Sequence, residues 1–389
     1  MEEYLLKRIK KLREKLGENN IKNYLIFKDE NIFYLTGFYS KNSSSVLIVT
    51  DKEIYLLVHF IYYEQAKKSA CLKDLNIVQY TVDKNKKLSD IFKSLDHKVI
   101  AAEGNNTSYE NFLNFAKVAK KQKKVLKNLS GIIEEFRTVK DEYEISKIQD
   151  CCSITDRTVE KFLKMDFLEL KKLTEIELSL YLQNEMIRKK STGASFDFVV
   201  ANNENSALPH YYASHKKIDN GILLIDAGCR FENYCSDITR TIFLGKNGYL
   251  KKEYRIKINS KEGDKIKYNS GLKEIYDIVF QAQLRALDAC KAGITCKELD
   301  LIARKYIDRK GYGKNFGHGL GHGVGLEIHE KPLISFSNNS ILEENMVITI
   351  EPGIYLEGIG GIRIEDMVIV KKNGCINLYN SSKVLTVID

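Results

Sequence analysis

Residues 316–332 read FGHGLGHGVGLEIHEKP, and the conformation of this stretch decides what must surround it. His318 and His322 are four apart, a spacing that binds zinc when it falls on a helix. Here Gly317, Gly319, Gly321, Gly323 and Gly325 alternate with the other residues. Each glycine costs a helix about 1 kcal/mol relative to alanine, so the run opposes a helix by several kcal/mol. An extended segment is expected instead, with His318, Leu320, His322, Val324 and Leu326 on one side and bare backbone on the other. At ~3.3 Å per residue the two histidines then lie ~13 Å apart and cannot share an ion. One ligates and the other faces substrate. His329 follows seven residues after His322.

Outward from this stretch, apolar runs ending in acids flank it on both sides. GILLIDAG (221–228) is a buried strand ending at Asp226. The chain turns and returns as CSDITRTIFL (235–244), where Asp237, Thr239 and Thr241 share a face. Antiparallel pairing brings Asp226 and Asp237 together; the plainer alternative is a turn-capping Asp226 and an Asp237–Arg240 pair. Downstream, VITIEPGIYL (347–356) places Glu351 at the end of an apolar run. GGIRIEDMVIV (360–370) reads as the next strand, with Arg363 and Glu365 on one face, either as a surface pair or at a site. Acids buried in such strands are costly unless paired or bound to a cation. Four converging carboxylates would raise one another's pKa, and two divalent cations would neutralise them. Four carboxylates and one imidazole suit Mn²⁺, with Co²⁺ and Zn²⁺ as alternatives.

The rest of the chain gives the frame. It has 389 residues, 43% hydrophobic and 29% charged, enough for two globular domains. The N-terminal part alternates strands (24–27, 46–50, 53–58, 76–82, 99–103) with helices (62–70, 88–95, 109–122). This predicts an α/β domain over 1–135, in a structural, substrate-gating or dimerising role. Leu5, Ile9, Leu12 and Leu16 mark an amphipathic first helix. Its scattered charges are not those of a signal peptide. From 136 the chain runs as helices at 136–164 and 177–190, then strands from 194, then helices at 271–290 and 296–310. In 246–270, the stretch YRIKINSKEGDKIKY alternates apolar and polar residues as a β-hairpin would. The overall class is α+β. No run is long enough to span a bilayer. The net charge of +9 is spread along the chain, without a nucleic-acid motif. The eight cysteines, with Cys151 and Cys152 adjacent, read as free thiols in a reducing cytoplasm. The three prolines, Pro209, Pro332 and Pro352, all stand beside the polar motifs.

These motifs resemble the pita-bread metallopeptidases, in particular the Xaa-Pro aminopeptidase and Xaa-Pro dipeptidase (prolidase) group. The similarity is carried by SALPHYYAS (206–214), IDAGCRFENYCSDITRT (225–241), GHGLGHGVGLEIHEKP (317–332), TIEPGIY (349–355) and GIRIED (361–366). NIFYLTGF (31–38), YYEQA (62–66) and FRTVKDEYEI (136–145) extend it over nearly the whole chain. The resemblance implies a creatinase-like domain over 1–135 and a pita-bread catalytic domain over 136–389. It implies two divalent metal ions: Asp226 on one, Asp237 and Glu365 bridging, His322 and Glu351 on the other. Glu351 would also accept the proton of the attacking water. His210, His318 and His329 would be catalytic, substrate-side histidines, and Arg363 would hold a bridging carboxylate from behind. Three features depart from the family: a His210-to-Asp226 spacing one residue short, the long 246–270 segment, and Cys151-Cys152 in place of small residues. The implied function is cleavage before proline at the N-terminus of peptides (an aminopeptidase), with dipeptidase activity as the alternative and a non-enzymatic binding module as a distant third. A cytoplasmic homodimer acting on proline-containing peptides, without nucleic-acid or membrane partners, is expected.

Overall fold

The computed structural model describes residues 1–245, 254–256, 267–269 and 271–389, and divides into compact units Met1–Arg137 and Thr138–Asp389. The first unit holds a six-stranded sheet in the order Leu75–Tyr80, Ile54–His59, Val46–Thr50, Asn23–Ile26, Val99–Ala102, Val125–Asn128. Val46–Thr50 runs antiparallel to both its neighbours, while the outer pairings are parallel. Helices Lys84–Ser94 and Tyr109–Lys121 cover one face, burying Leu88, Phe92 and Phe115 against Leu25, Ile48 and Leu57. The N-terminal helix Glu2–Glu18 buries the expected Leu5, Ile9, Leu12 and Leu16.

Elements of this unit outside the sequence reading include a helix and a strand. Helix Asp29–Thr36 buries every residue from Asn31 to Thr36, so it shows no amphipathic period. Strand Val125–Asn128 is an edge strand, with Val125 exposed and few apolar residues to mark it.

The second unit is built from two helix pairs, each packed on a sheet. Helices Glu142–Phe162 and Glu175–Arg188 pack on the four-stranded sheet Val387–Ile388, Ile238–Leu244, Gly221–Ala227, Val199–Asn202. Helices Gly271–Ala289 and Cys296–Arg309 pack on the five-stranded sheet Glu330–Ile334, Gly321–Gly323, Val347–Ile350, Asp366–Lys371, Gly374–Asn377. Capping boxes start three of these helices, at Asp141/Glu144, Thr174/Glu177 and Thr295/Glu298. A two-stranded ribbon, Gly353–Leu356 with Gly360–Arg363, lies in sequence between strands Val347–Ile350 and Asp366–Lys371 of the second sheet.

The expected single strands at 347–356 and 360–370 are each broken at an acid. Glu351-Pro352 separates Val347–Ile350 from Gly353–Leu356, and Ile364-Glu365 separates Gly360–Arg363 from Asp366–Lys371. The cause is a change of partner. At the second break the Ile364 amide bonds the Pro352 carbonyl, and the Glu365 amide bonds the Thr239 carbonyl of the other sheet at 3.1 Å. The two sheets are thus stitched where the acids stand. In the 246–270 segment, Tyr254–Ile256 pairs antiparallel with Lys267–Asn269, as a hairpin would; the remainder of that expected hairpin lies outside the described residues.

Candidate metal centre

Five side chains meet at this seam. Strands Gly221–Ala227 and Ile238–Leu244 pair with Asp226 opposite Thr239, which sets Asp237 diagonally across from Asp226. The glycine-rich segment is extended, as its alternation requires. A Cβ on Gly321 would lie 2.1 Å from the Thr349 carbonyl, and one on Gly323 would lie 2.2 Å from the Lys331 carbonyl. Only glycine lets the backbone carrying His322 come so close to both neighbours. Asp300 and Arg304 of helix Cys296–Arg309 clamp the segment from outside. Arg304 donates to the carbonyls of Phe316 and His318, and Asp300 accepts the Leu320 amide.

Asp237, His322 and Glu365 each offer a ligand atom, and these atoms lie within 4.8 Å of one another. His322 Nε2 is 3.7 Å from Asp237 Oδ2 and 3.3 Å from Glu351 Oε1. Its Nδ1 lies 3.1 Å from the Gly323 carbonyl, an acceptor. Nδ1 therefore carries the proton, and Nε2 turns a lone pair toward the acids. Arg363 Nη2 donates to Asp226 Oδ2 at 2.7 Å, and its Nε donates to Thr239 Oγ1 at 3.0 Å. Thr239 Oγ1 in turn donates to Glu365 Oε2 at 2.6 Å. The resemblance implies that Arg363 holds a bridging carboxylate. The structure puts Arg363 on Asp226, and on Glu365 only through Thr239.

The fit to cations is tested by the oxygens left over. Asp226 Oδ1, Asp237 Oδ1 and Glu365 Oε1 are buried with no hydrogen-bond partner. Buried polar atoms are almost always satisfied, so three orphans in one cluster need an explanation. Burial, then mutual repulsion with Glu351 and Asp226, pushes the Glu365 carboxyl well above its usual range. Asp237 rises in the same way through burial, Glu365, Asp226 and Glu351. Glu351 is pushed up to about 8, chiefly by burial. Burial, with His329 close by, lowers His322 to about 4, which keeps its ring neutral. An acid cluster that repels itself, with outward lone pairs and one neutral imidazole, has the donor set of a divalent-cation site.

The other histidines are sorted by the loop that follows. Residues 325–329 fold back irregularly, and the His329 ring comes within 4.4 Å of the His322 ring centre. His318 instead points to Tyr355, with Nε2 2.9 Å from the phenol oxygen. Burial and the nearby Arg363 lower its pKa to about 4. His210 is exposed and near enough to both His318 and His329 to bear on them electrostatically. The alternatives weighed for the acids are set aside by their partners: Arg240 pairs with Asp366 rather than Asp237, and Arg363 pairs with Asp226 rather than Glu365.

Thr239, Thr349 and Tyr355 were not singled out as site residues. Thr349 links the His322 amide to Glu351 Oε1, and Tyr355 links His318 to Arg363. For the two threonines a signal existed: each is two residues from an acid on the same strand face, Thr239 after Asp237 and Thr349 before Glu351.

Comparison with known proteins agrees with this geometry. Residues 146–372 match metallopeptidase family M24, and residues 8–139 match the creatinase/prolidase N-terminal domain. An Xaa-Pro dipeptidase of Pyrococcus horikoshii is 36% identical over 97% of this chain and 98% of its own length. A solved Xaa-Pro dipeptidase from Bacillus anthracis superposes with a TM-score of 0.86 at 34% identity, covering 98% of this chain and 99% of that one. An X-Pro aminopeptidase from Thermotoga maritima gives 0.81 at 36% identity, again over 98% and 99%. With the helix-backed double sheet and the acid–histidine cluster in place, the chain belongs to metallopeptidase family M24, with the pita-bread fold and a creatinase-like N-terminal domain.

Proposed function

We propose that this protein is an Xaa-Pro dipeptidase (a prolidase) working through a dinuclear metal centre. The observation that carries the proposal is the group of orphaned, buried carboxylate oxygens around a neutral His322. Asp226, Asp237, His322, Glu351 and Glu365 would hold the two ions. When bound, such a pair of cations supplies an activated water near neutral pH and polarises the scissile carbonyl. Glu351 Oε1, which accepts from Thr349, would take the water's proton. His318 and His329, both with lowered pKa, act as neutral hydrogen-bonding groups that orient the peptide, with His210 nearby. Arg363 and Thr239 fix the carboxylates in register.

Sequence alone leans toward the aminopeptidase. The Pyrococcus and Bacillus relatives, both called Xaa-Pro dipeptidases, favour the dipeptidase instead, and the Thermotoga aminopeptidase keeps the second activity in view. The oxygen-rich donor set favours Mn²⁺. A cytoplasmic homodimer completes the proposal; among the described residues no helix is long and apolar enough to cross a membrane.

The test is hydrolysis of Ala-Pro against Ala-Pro-Ala by Mn²⁺-loaded protein, repeated after chelation. Preferential, metal-dependent cleavage of the dipeptide supports the proposal. Preference for the tripeptide assigns an aminopeptidase, and undiminished activity after chelation removes the metal centre from the chemistry.

A further inference from the structure

We infer that Cys151 and Cys229 are a redox pair: a peroxide joins them in an intramolecular disulfide, and the closure disturbs the turn that carries Asp226 and Asp237. The part concerning the turn rests on that turn being metal-binding.

Cys151 lies on helix Glu142–Phe162 and Cys229 opens the strand just after Asp226. Their sulfurs are 3.5 Å apart, both fully buried and both free. A disulfide needs about 2.05 Å, so the sulfurs must close by roughly 1.5 Å. Each thiol also lies against the other's backbone: Cys151 Sγ is 3.0 Å from the Cys229 carbonyl, and Cys229 Sγ is 3.5 Å from the Cys151 carbonyl.

The chain around Cys229 has little slack to absorb such a closure. One helical turn past Cys151, Thr155 Oγ1 reaches both Cys229 Sγ at 3.4 Å and Ser236 Oγ at 2.7 Å. Ser236 Oγ accepts the Cys229 amide at 3.0 Å, and Ser236 immediately precedes Asp237. A Cβ on Gly228 would lie 1.8 Å from the Ser236 carbonyl, so the two arms of the turn are already in backbone contact. Pulling Cys229 toward the helix therefore moves the segment between the two aspartates. Cys152 faces the other way, 3.8 Å from Met367 Sδ.

The chemistry balances with hydrogen peroxide, a small neutral oxidant suited to a buried site that opens transiently. The hydrogen bond from Cys151 lowers the Cys229 pKa, while burial raises that of Cys151. Cys229 is thus the attacking thiolate. Its sulfur bonds one peroxide oxygen, the O–O bond breaks, and the departing hydroxide takes a proton to become water. Cys151 then attacks the sulfenic sulfur; the S–S bond forms, the S–O bond breaks, and the oxygen leaves as water with the Cys151 proton. Two thiols and one peroxide give one disulfide and two waters.

The test exposes full-length, Mn²⁺-loaded protein to hydrogen peroxide and follows thiols, cross-linked peptides and bound metal. The expected result is loss of two of the eight thiols and a non-reduced tryptic species joining residues 148–157 to 218–230. Bound Mn²⁺ should fall in step, and dithiothreitol should reverse both changes. Cys151→Ala and, independently, Cys229→Ser should block the cross-link and keep the metal. Oxidation of other thiols without the joined species overturns the pair. A joined species with unchanged metal content, or equal metal loss in Cys151→Ala, overturns the link to the turn. No readout uses a peptide substrate, so failure here is distinct from failure of the dipeptidase proposal.

Discussion

Glu365 and Asp366 are neighbours in the chain, 1% and 0% exposed, and they face opposite sides of the sheet seam. Asp366 is saturated. Arg240 donates to Oδ1 at 2.8 Å, while Lys383 at 2.6 Å, Asn377 at 2.8 Å and Gln283 at 3.3 Å donate to Oδ2. Burial alone would raise its pKa, but Arg240 and Lys383 hold it below the ordinary value. Glu365 has one donor, Thr239, and an orphaned oxygen, and it stands among acids. Burial raises its pKa, and Glu351 and Asp226 raise it further. Burial is equal and compensation opposite: Asp366 is complete within the protein, whereas Glu365 is left short of donors and in the proposed centre would be completed by a cation.

That contrast can be broken by mutation on each side. Asp237→Asn, in the unsaturated cluster, should abolish turnover and lower the bound metal while leaving the metal-free melting temperature unchanged or raised, since it removes repulsion. Turnover close to the parent would place the acids outside the reaction. Asp366→Asn, in the saturated cluster, leaves Arg240 and Lys383 buried without their anion. Denaturant titration should show a loss of about 3–5 kcal/mol. Activity per folded molecule should be largely kept.

Chelation sharpens the contrast through pH. Without metal, the Glu351 carboxyl is held up at about 8 against an ordinary 4.5. The folded state then binds more protons than the unfolded state across that window, so stability present below pH 4.5 is lost as pH rises toward 8. Melting temperature of chelated protein should fall between these values more steeply than that of the Mn²⁺-loaded protein. Parallel slopes would contradict the repulsive cluster. The smallest effect is expected from Thr239→Val, which cuts the link from Arg363 to Glu365. A loss of roughly 10–100-fold in metal affinity or activity is the scale for such supporting groups; metal titration of the variant checks it.

The acids themselves were legible in the sequence because each ends or begins an apolar run, where an unpaired charge is out of place. Glycine alternation shows an extended segment on which only one of His318 and His322 can join the acids, and the resemblance alone points to His322. What separates Glu365 from Asp366 was not legible: the donors to Asp366 come from residues 240, 283, 377 and 383, far apart in the chain. The same holds for Asp237, whose backbone is gripped by Tyr379, 142 positions away. The strand breaks at Glu351 and Glu365 were hidden for a related reason, as a change of pairing partner leaves the hydrophobic pattern intact. Helix Asp29–Thr36 was hidden because burial on every side erases the period that marks a helix.

The most direct test of the unsaturated cluster is the metal stoichiometry of the folded chain, measured by elemental analysis after equilibration with Mn²⁺ and desalting. Two ions per chain are predicted for the parent, and fewer for Asp237→Asn at unchanged helix content. A folded parent protein that binds no divalent cation would contradict the account.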